Sequence, residues 1–204
     1  MAWAPDYITL SELKAFLRIG DTNDDVQLAV AITAASRAID RCTNRQFGVV
    51  ASVEERQYTA EWNRRRGRWV VPIDDLMTVT GLVVTTVDED GTLTGTITAY
   101  DLEPRDADLK GRPWELLVVR STSAVVPTGA RGEMATTGLW GWTAVPTAVD
   151  QATYLQASRF HARRNSPYGV AGSPDDGSEL RLLARVDPDV AVSLGPYRRW
   201  WASA

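Results

Sequence analysis

The side chains that could do covalent chemistry in this sequence are few and scattered. His161 is the single histidine. It falls in a helical segment beside Arg163 and Arg164, with no nucleophile or orienting carboxylate at a spacing that would make it a general base. A surface or packing role is expected. Cys42, the single cysteine, lies on an apolar helical stripe, where a thiol acts as a small buried hydrophobe rather than a nucleophile. No disulfide can form within the chain, which fits a reducing compartment. One histidine and one cysteine far apart match no zinc spacing. Asp88-Glu89-Asp90-Gly91 opens like a calcium loop but lacks the later ligands and the closing glutamate, so it reads as a hairpin turn. Asp74-Asp75 could be paired carboxylates for acid–base work. Strand neighbours point to opposite faces, so a solvated turn is the better reading. No glycine-rich phosphate loop is present. The expectation is a protein with no catalytic residues, no metal and no cofactor.

Two stretches suit binding instead. Arg64, Arg65, Arg66 and Arg68 form a basic run flanked by Trp62 and Trp69. Such a run can neutralise phosphates while tryptophan stacks on bases. It can equally be a solvated hairpin loop whose arginines meet carboxylates of a neighbouring subunit, and the net charge of −4 favours this second role. At the other end, Tyr197, Arg198, Arg199, Trp200 and Trp201 bring together the residue types of interface hot spots. That tail either folds back onto its own core or docks into a partner.

The elements that must position these residues follow from periodicity. Thr9 with Glu12 forms a capping box ahead of Leu13, Phe16 and Leu17, and Gly20 is expected to end that helix in a left-handed conformation. In Asp24–Phe47, Leu28, Ile32, Ala35, Ile39 and Cys42 make one apolar stripe, while the alanines keep the helix slim enough for close packing within a chain or between copies. The period then shortens. Val49–Thr59, Trp69–Val71, Val79–Val87, Leu93–Tyr100, Trp114–Val119 and Met134–Trp142 have strand character, and Asp101–Pro113 reads as a charged loop. Helix signals return at Pro146-Thr147 with Asp150, and Val149, Ala152, Leu155, Ala157 and Phe160 supply an apolar face. The Gly-, Ser-, Pro- and Asp-rich stretch Tyr168–Ser178 reads as a mobile linker. Leu180–Val186 and Asp187–Val190 follow as short helical pieces, with Pro188 first in its turn.

At 204 residues the chain suits a domain with an inserted subdomain. The predicted fold class is α+β: a small helical bundle from both chain ends, with an inserted, mostly antiparallel β subdomain. Its parts are N-terminal core helices (1–48), the β insertion (49–144), a core helix (145–167), and a linker with a C-terminal docking segment (168–204). The first residues show no basic region followed by an apolar core, and no apolar run is long enough to span a membrane. Eight tryptophans are many for this length, and they motivate a rival reading as a carbohydrate-binding β module.

Taken in order, several stretches resemble the head-to-tail connector, or adaptor, proteins of tailed bacteriophages. Tyr7-Ile8-Thr9-Leu10 with Leu13-Lys14 and Leu17 is similar to that family's first helix. Asp24-Asp25, Leu28, Ile32, Ala34-Ala35-Ser36, Ile39-Asp40 and Thr43-Asn44-Arg45-Gln46-Phe47 resemble its long helix and exit turn, with Asn44 where a glycine is more usual. Gly138-Leu139-Trp140-Gly141-Trp142 through Val145-Pro146 to Ala152 is similar to the family's return from strands to helix. Arg163-Arg164-Asn165-Ser166-Pro167 and Val186-Asp187-Pro188-Asp189-Val190 with Pro196-Tyr197-Arg198 resemble members from actinobacterial phages.

The resemblance implies a structural virion protein and no enzyme. Its members form rings, commonly of twelve copies, between portal and tail, extending the DNA channel and retaining the packaged genome. The implied partners are further copies of the chain, the portal protein, the next neck or tail protein, and double-stranded DNA passing without sequence-specific contact. The implied location is the virion neck, with host cytoplasm during assembly and no membrane. Within this scheme Tyr197, Arg198, Arg199, Trp200 and Trp201 are the expected portal-docking residues, and Arg64, Arg65, Arg66 and Arg68 the expected inter-subunit ones. A tail-completion or stopper protein one layer further from the capsid is the alternative within the class. An acidic chain suits a DNA conduit, since like charge lets the polymer slide.

Overall fold

The computed structural model describes residues 3–163, 170–171, 180–181 and 188–199. The chain divides into two compact units, one drawn from its beginning to Phe47 and again from Val145 onward, the other lying between Gly48 and Ala144. Helices fill the first and antiparallel sheets the second, an α+β architecture.

In the helical unit, α1 (Leu10–Leu17) starts on the predicted capping box: the Glu12 amide donates to the Thr9 hydroxyl at 3.3 Å, and the Thr9 amide to the Glu12 carboxylate at 2.7 Å. The long helix α2 (Asp25–Thr43) buries Leu28, Ala31, Ile32, Ala35, Ser36 and Ile39. Ile8, Leu13 and Ala157 close the same core, with Leu17, Tyr154 and Phe160 at its margin. Lys14 pairs with Asp25 at 2.7 Å and ties the two helices where they approach. Helix α3 (Thr147–Arg163) packs on α1 and α2, and α4 (Pro188–Leu194) packs on α3. A short 3-10 turn, Gly195–Tyr197, follows.

The β unit holds two four-stranded antiparallel sheets. The first has the order β1 (Glu54–Tyr58), β8 (Met134–Gly138), β4 (Val83–Val87), β5 (Leu93–Thr96). The second has the order β2 (Glu61–Asn63), β3 (Arg68–Leu76), β7 (Trp114–Val119), β6 (Tyr100–Glu103). Their core contains Val71, Ile73, Leu76, Leu117, Met134 and Trp140. Trp140 is held on three sides: Tyr58 packs edge-on at 5.7 Å, the Arg56 guanidinium lies 5.2 Å from its ring, and its indole N–H donates to Glu54 O at 2.8 Å.

Several boundaries differ from the sequence expectation for physical reasons. The left-handed residue after α1 is Arg18 (φ 59), not Gly20, because the Ile19 amide closes on Lys14 O at 2.9 Å and ends the helix two residues earlier than expected. The buried stripe of α3 is Val149, Ala152, Thr153, Gln156 and Ala157, with Leu155 only half-buried. Two of those positions are polar, and Thr153 satisfies its hydroxyl on Val149 O at 2.7 Å, which hides the stripe from a reading by apolarity. Asp74 and Asp75 stand in β3 rather than in a turn. The expected loop 101–113 begins as strand β6. Val170–Ala171 (β9), inside the expected linker, pairs antiparallel with Leu180–Arg181 (β10), which had been expected to be helical. The other residues of that linker, and Asp187, lie outside the described residues.

The entrance and exit of the β unit are tied to each other. The Trp142 amide donates to Gly48 O at 2.8 Å, the Val50 amide to Trp140 O at 2.9 Å, and Val49 bridges Gly141. This crossing requires glycine at 141: φ is +108°, and a Cβ there would lie 2.1 Å from Gly48 O. Gly141→Ala should destabilise the protein by about 2–4 kcal/mol in a urea titration. Gly20→Ala, in open space at an ordinary φ, should stay within about 1 kcal/mol of the parent.

Candidate functional site

Three places carry the residues that could act in assembly. The first is the end of α2, where the chain turns out of the helical unit. Tyr7 donates its hydroxyl to the Asp40 carboxylate and accepts the Phe47 amide at 3.1 Å. Burial drives the Tyr7 phenol well above its ordinary range, and the bond to Asp40 acts in the same direction. The Phe47 ring, fully buried, meets Tyr7 edge-on at 5.7 Å and Tyr197 edge-on at 6.0 Å. The Arg199 amide donates to Thr43 O at 2.7 Å, and the Asn44 side-chain amide donates to Arg199 O at 3.2 Å. Tyr197 and Arg199 of the expected docking segment are therefore seated on their own helical unit, Arg199 being buried and Arg198 exposed. Trp200 and Trp201 lie outside the described residues. Asn44 is the left-handed residue closing α2, at φ 53. Asparagine tolerates this conformation, as glycine would, and adds the tether to Arg199 that glycine lacks.

The second place is the arginine run. Arg64 to Gly67 form the tight turn of the β2–β3 hairpin, closed by the Gly67 amide on Asn63 O at 2.8 Å. Trp62 and Trp69 face each other across the two strands with ring centres 5.4 Å apart. The Arg66 guanidinium reaches Glu103 at 2.6 Å, and that of Arg68 lies 3.7 Å from Asp101. Asp101 also receives Arg120 Nε at 3.0 Å and stands 3.6 Å from Arg105. The bonds from Arg120 hold its carboxyl below the usual range. Two of the four predicted arginines thus pair inside the chain, while Arg64 and Arg65 are exposed and have no ion pair among the described residues. Asp101, Glu103 and Arg105 were missed in the sequence because 101–113 read as a loop, and Arg120, just past β7, had no visible partner once they were. The signal was present in Asp101-Leu102-Glu103, whose alternation puts both carboxylates on one strand face.

The third place is the outward side of α2. Val26 and Val30 are 74% and 65% exposed. Ala29, Val30, Thr33 and Ala34 border an open groove of about 820 Å³, closed on other sides by Leu10 and Phe160. It is a shallow, small-residue surface against which another helix can lie closely.

The remaining candidates have structural roles. Asp88 Oδ1 accepts the Asp90 and Thr92 amides at 3.1 and 2.7 Å, which makes the predicted hairpin turn. Asp74 accepts Arg56 and the Tyr58 hydroxyl, whereas Asp75 is buried and accepts the Trp142 indole at 2.7 Å, so the two carboxylates serve different partners. His161 Nε2 is 4.0 Å from Asp24, and Cys42 is half-buried. Among the described residues there is no cluster of histidine, cysteine and carboxylates that could hold a metal ion, and no helix is long and apolar enough to cross a membrane. Trp140 and Trp142 are core residues, which removes much of the motive for a tryptophan-lined sugar groove.

The fold is α+β, a helical unit and a unit of two antiparallel sheets. Residues 7–64 match the family model of the phage gp6-like head-tail connector proteins, over the segment that holds the first-helix and long-helix stretches of the connector resemblance. No curated protein sequence matches. Among solved structures, a chain from the neck of an empty GTA particle computed with C6 symmetry has a TM-score of 0.57 at 19% identity, covering 97% of this chain and 93% of that one. A chain from the neck of the native GTA particle computed with C12 symmetry has a TM-score of 0.57 at 22% identity, covering 97% and 92%. One from the virion of the native gene transfer agent particle has a TM-score of 0.53 at 23% identity, covering 91% and 97%. At these identities the likeness is one of fold. None of these matches is to an enzyme.

The seat of the C-terminal segment can be probed by proteolysis. Asn44→Ala loses both the tether to Arg199 and the tolerance for φ > 0, and trypsin cleavage at Arg198 and Arg199 should speed up by roughly tenfold, the equivalent of about 1.4 kcal/mol in local opening. Asn44→Gly loses only the tether and should show a rise of roughly threefold.

Proposed function

We propose that this chain is a structural component of a virion neck: a ring between portal and tail that extends the DNA channel and retains the packaged genome. The observation carrying this reading is that the likeness to neck components spans both units, 97% of the chain, while the connector family model falls on α1, α2 and the first strands. The C12 symmetry of one such neck supports a ring of identical copies. The exposed apolar side of α2 supplies a surface that such neighbours would cover. Its partners in this scheme are further copies, the portal protein, the next neck or tail protein, and DNA that slides past an acidic chain. A stopper in the layer beyond would share most of these features. A cryo-EM map of the particle neck distinguishes the layers: a ring of this fold in contact with the portal is expected. Absence of the chain from purified particles by mass spectrometry would overturn the proposal.

Portal docking is assigned to Tyr197, Arg198, Arg199, Trp200 and Trp201. Deletion after Gly195 would also remove Tyr197 from Phe47 and Arg199 from Thr43, so it confounds folding with binding. Truncation after Arg199 leaves those contacts in place. The truncated protein should unfold at the parental urea concentration while its binding to portal-bearing capsids, followed by co-sedimentation, falls by roughly a hundredfold, as expected when two aromatic anchors are lost. Undiminished binding would place docking elsewhere.

A further inference from the structure

The β unit carries two exposed charge features of opposite sign that do not meet each other. One is the arginine face: Arg64, Arg65, Arg66, Arg68, Arg105 and Arg120 find only Asp101 and Glu103 as ion-pair partners among the described residues. Three of these guanidinium groups crowd the one carboxylate of Asp101, so the face keeps a marked positive excess on a chain whose net charge is −4. The other is the tip of the β4–β5 hairpin, where Asp88, Glu89 and Asp90 are all exposed and form no ion pair among the described residues. That tip is a shaped element. Asp88 closes it through its own carboxylate and through the Gly91 amide on Asp88 O at 3.0 Å.

The two features lie at opposite ends of β5. The strand runs away from the tip; past its far end the Arg120 amide donates to Ala99 O at 2.9 Å, and the register of Val70 opposite Val118 puts the start of β3, with the arginine turn that precedes it, beside Arg120. Four strand residues at about 3.3 Å each put some ~13 Å between the ends of β5 alone, too far for an ion pair. We propose that the arginine face of one copy receives the Asp88-Glu89-Asp90 tip of the next. This deepens the ring reading and rests on it. A contact between two different patches of the same chain is head-to-tail, which generates a ring when the rotation per copy closes. Charge complementarity selects a second copy as the occupant. Each copy offers three carboxylates and has a use for them, whereas duplex DNA on the arginine face would leave the acidic tips uncovered and facing a polyanion.

The test uses the purified full chain with Cys42→Ala, so that only introduced thiols react. Arg65→Cys and Glu89→Cys are made separately and together. On mild oxidation at low salt, a mixture of the two single variants should give disulfide dimers at least about tenfold faster than either alone, and the rate should fall at high salt. The double variant should give a ladder of covalent multimers. A disulfide closed within one chain, or no preference for the mixed pair, overturns the contact. In parallel, Arg64→Glu with Arg65→Glu and, separately, Asp88→Lys with Glu89→Lys should each lower self-association by roughly tenfold, and the combination should restore it. Loss without restoration overturns the pairing. So does an arginine reversal that weakens binding to duplex DNA but leaves self-association unchanged. Because these readouts need no particles, failed cross-linking by a chain that is present in the neck removes this contact alone. Cross-linking by a chain absent from particles removes the neck assignment instead.

Discussion

The hydroxyl of Tyr7 is the constraint on which the helical unit turns. It sits between the Asp40 carboxylate and the Phe47 amide, joining the beginning of the chain to the end of α2 at the point where the backbone departs for the β unit. A buried polar atom in that position is costly unless both of its capacities are used, and both are. Around it, the rings of Tyr7, Phe47 and Tyr197 pack edge to face. The first and last described stretches of the chain and the exit of its longest helix thus share one small cluster. The alignment of α2 on α1 and α3, and the support for the C-terminal segment, depend on that cluster holding.

Much of this was legible in the residues. The capping box at Thr9, the buried positions of α2 and the hairpin at Asp88 all follow from rules that act within one turn or one strand, where a few neighbouring side chains decide the outcome. The stripe of α3 was misread because Thr153 and Gln156 are polar by composition yet buried by position, and a hydroxyl that returns to its own helix gives no sign of this in sequence. Strand β6 was missed for a related reason. Its two carboxylates look like a solvated loop until arginines from β3, the following turn and the end of β7 arrive to neutralise them, and two of those three, Arg68 and Arg120, are distant in sequence.

The two stretches proposed for assembly divide along the same line. The arginine run and the aromatic tail were conspicuous because their composition is unusual at a single place. What the sequence could not reveal was how far each is already engaged. Arg66 and Arg68 are shared with β6, and Tyr197 and Arg199 are held against α2. A residue type that favours interfaces also favours cores, and only three-dimensional neighbours distinguish the two. Asn44 illustrates the converse. Its departure from the glycine expected at that turn looked like a blemish in the family pattern, yet its side chain makes a contact that glycine has no atoms to make.

The crossing at Gly48 and Gly141 bears on how such a chain can be built. Because the two ends of the β excursion are bonded to one another, the helical unit experiences the whole insertion as if it were a loop of a few residues. The entropy of closing that loop is settled inside the sheets, and lengthening or replacing strands beyond the crossing adds nothing to what the helices must offset. A lineage could therefore remodel everything between those glycines, strand by strand, while the helices that precede and follow them keep their packing.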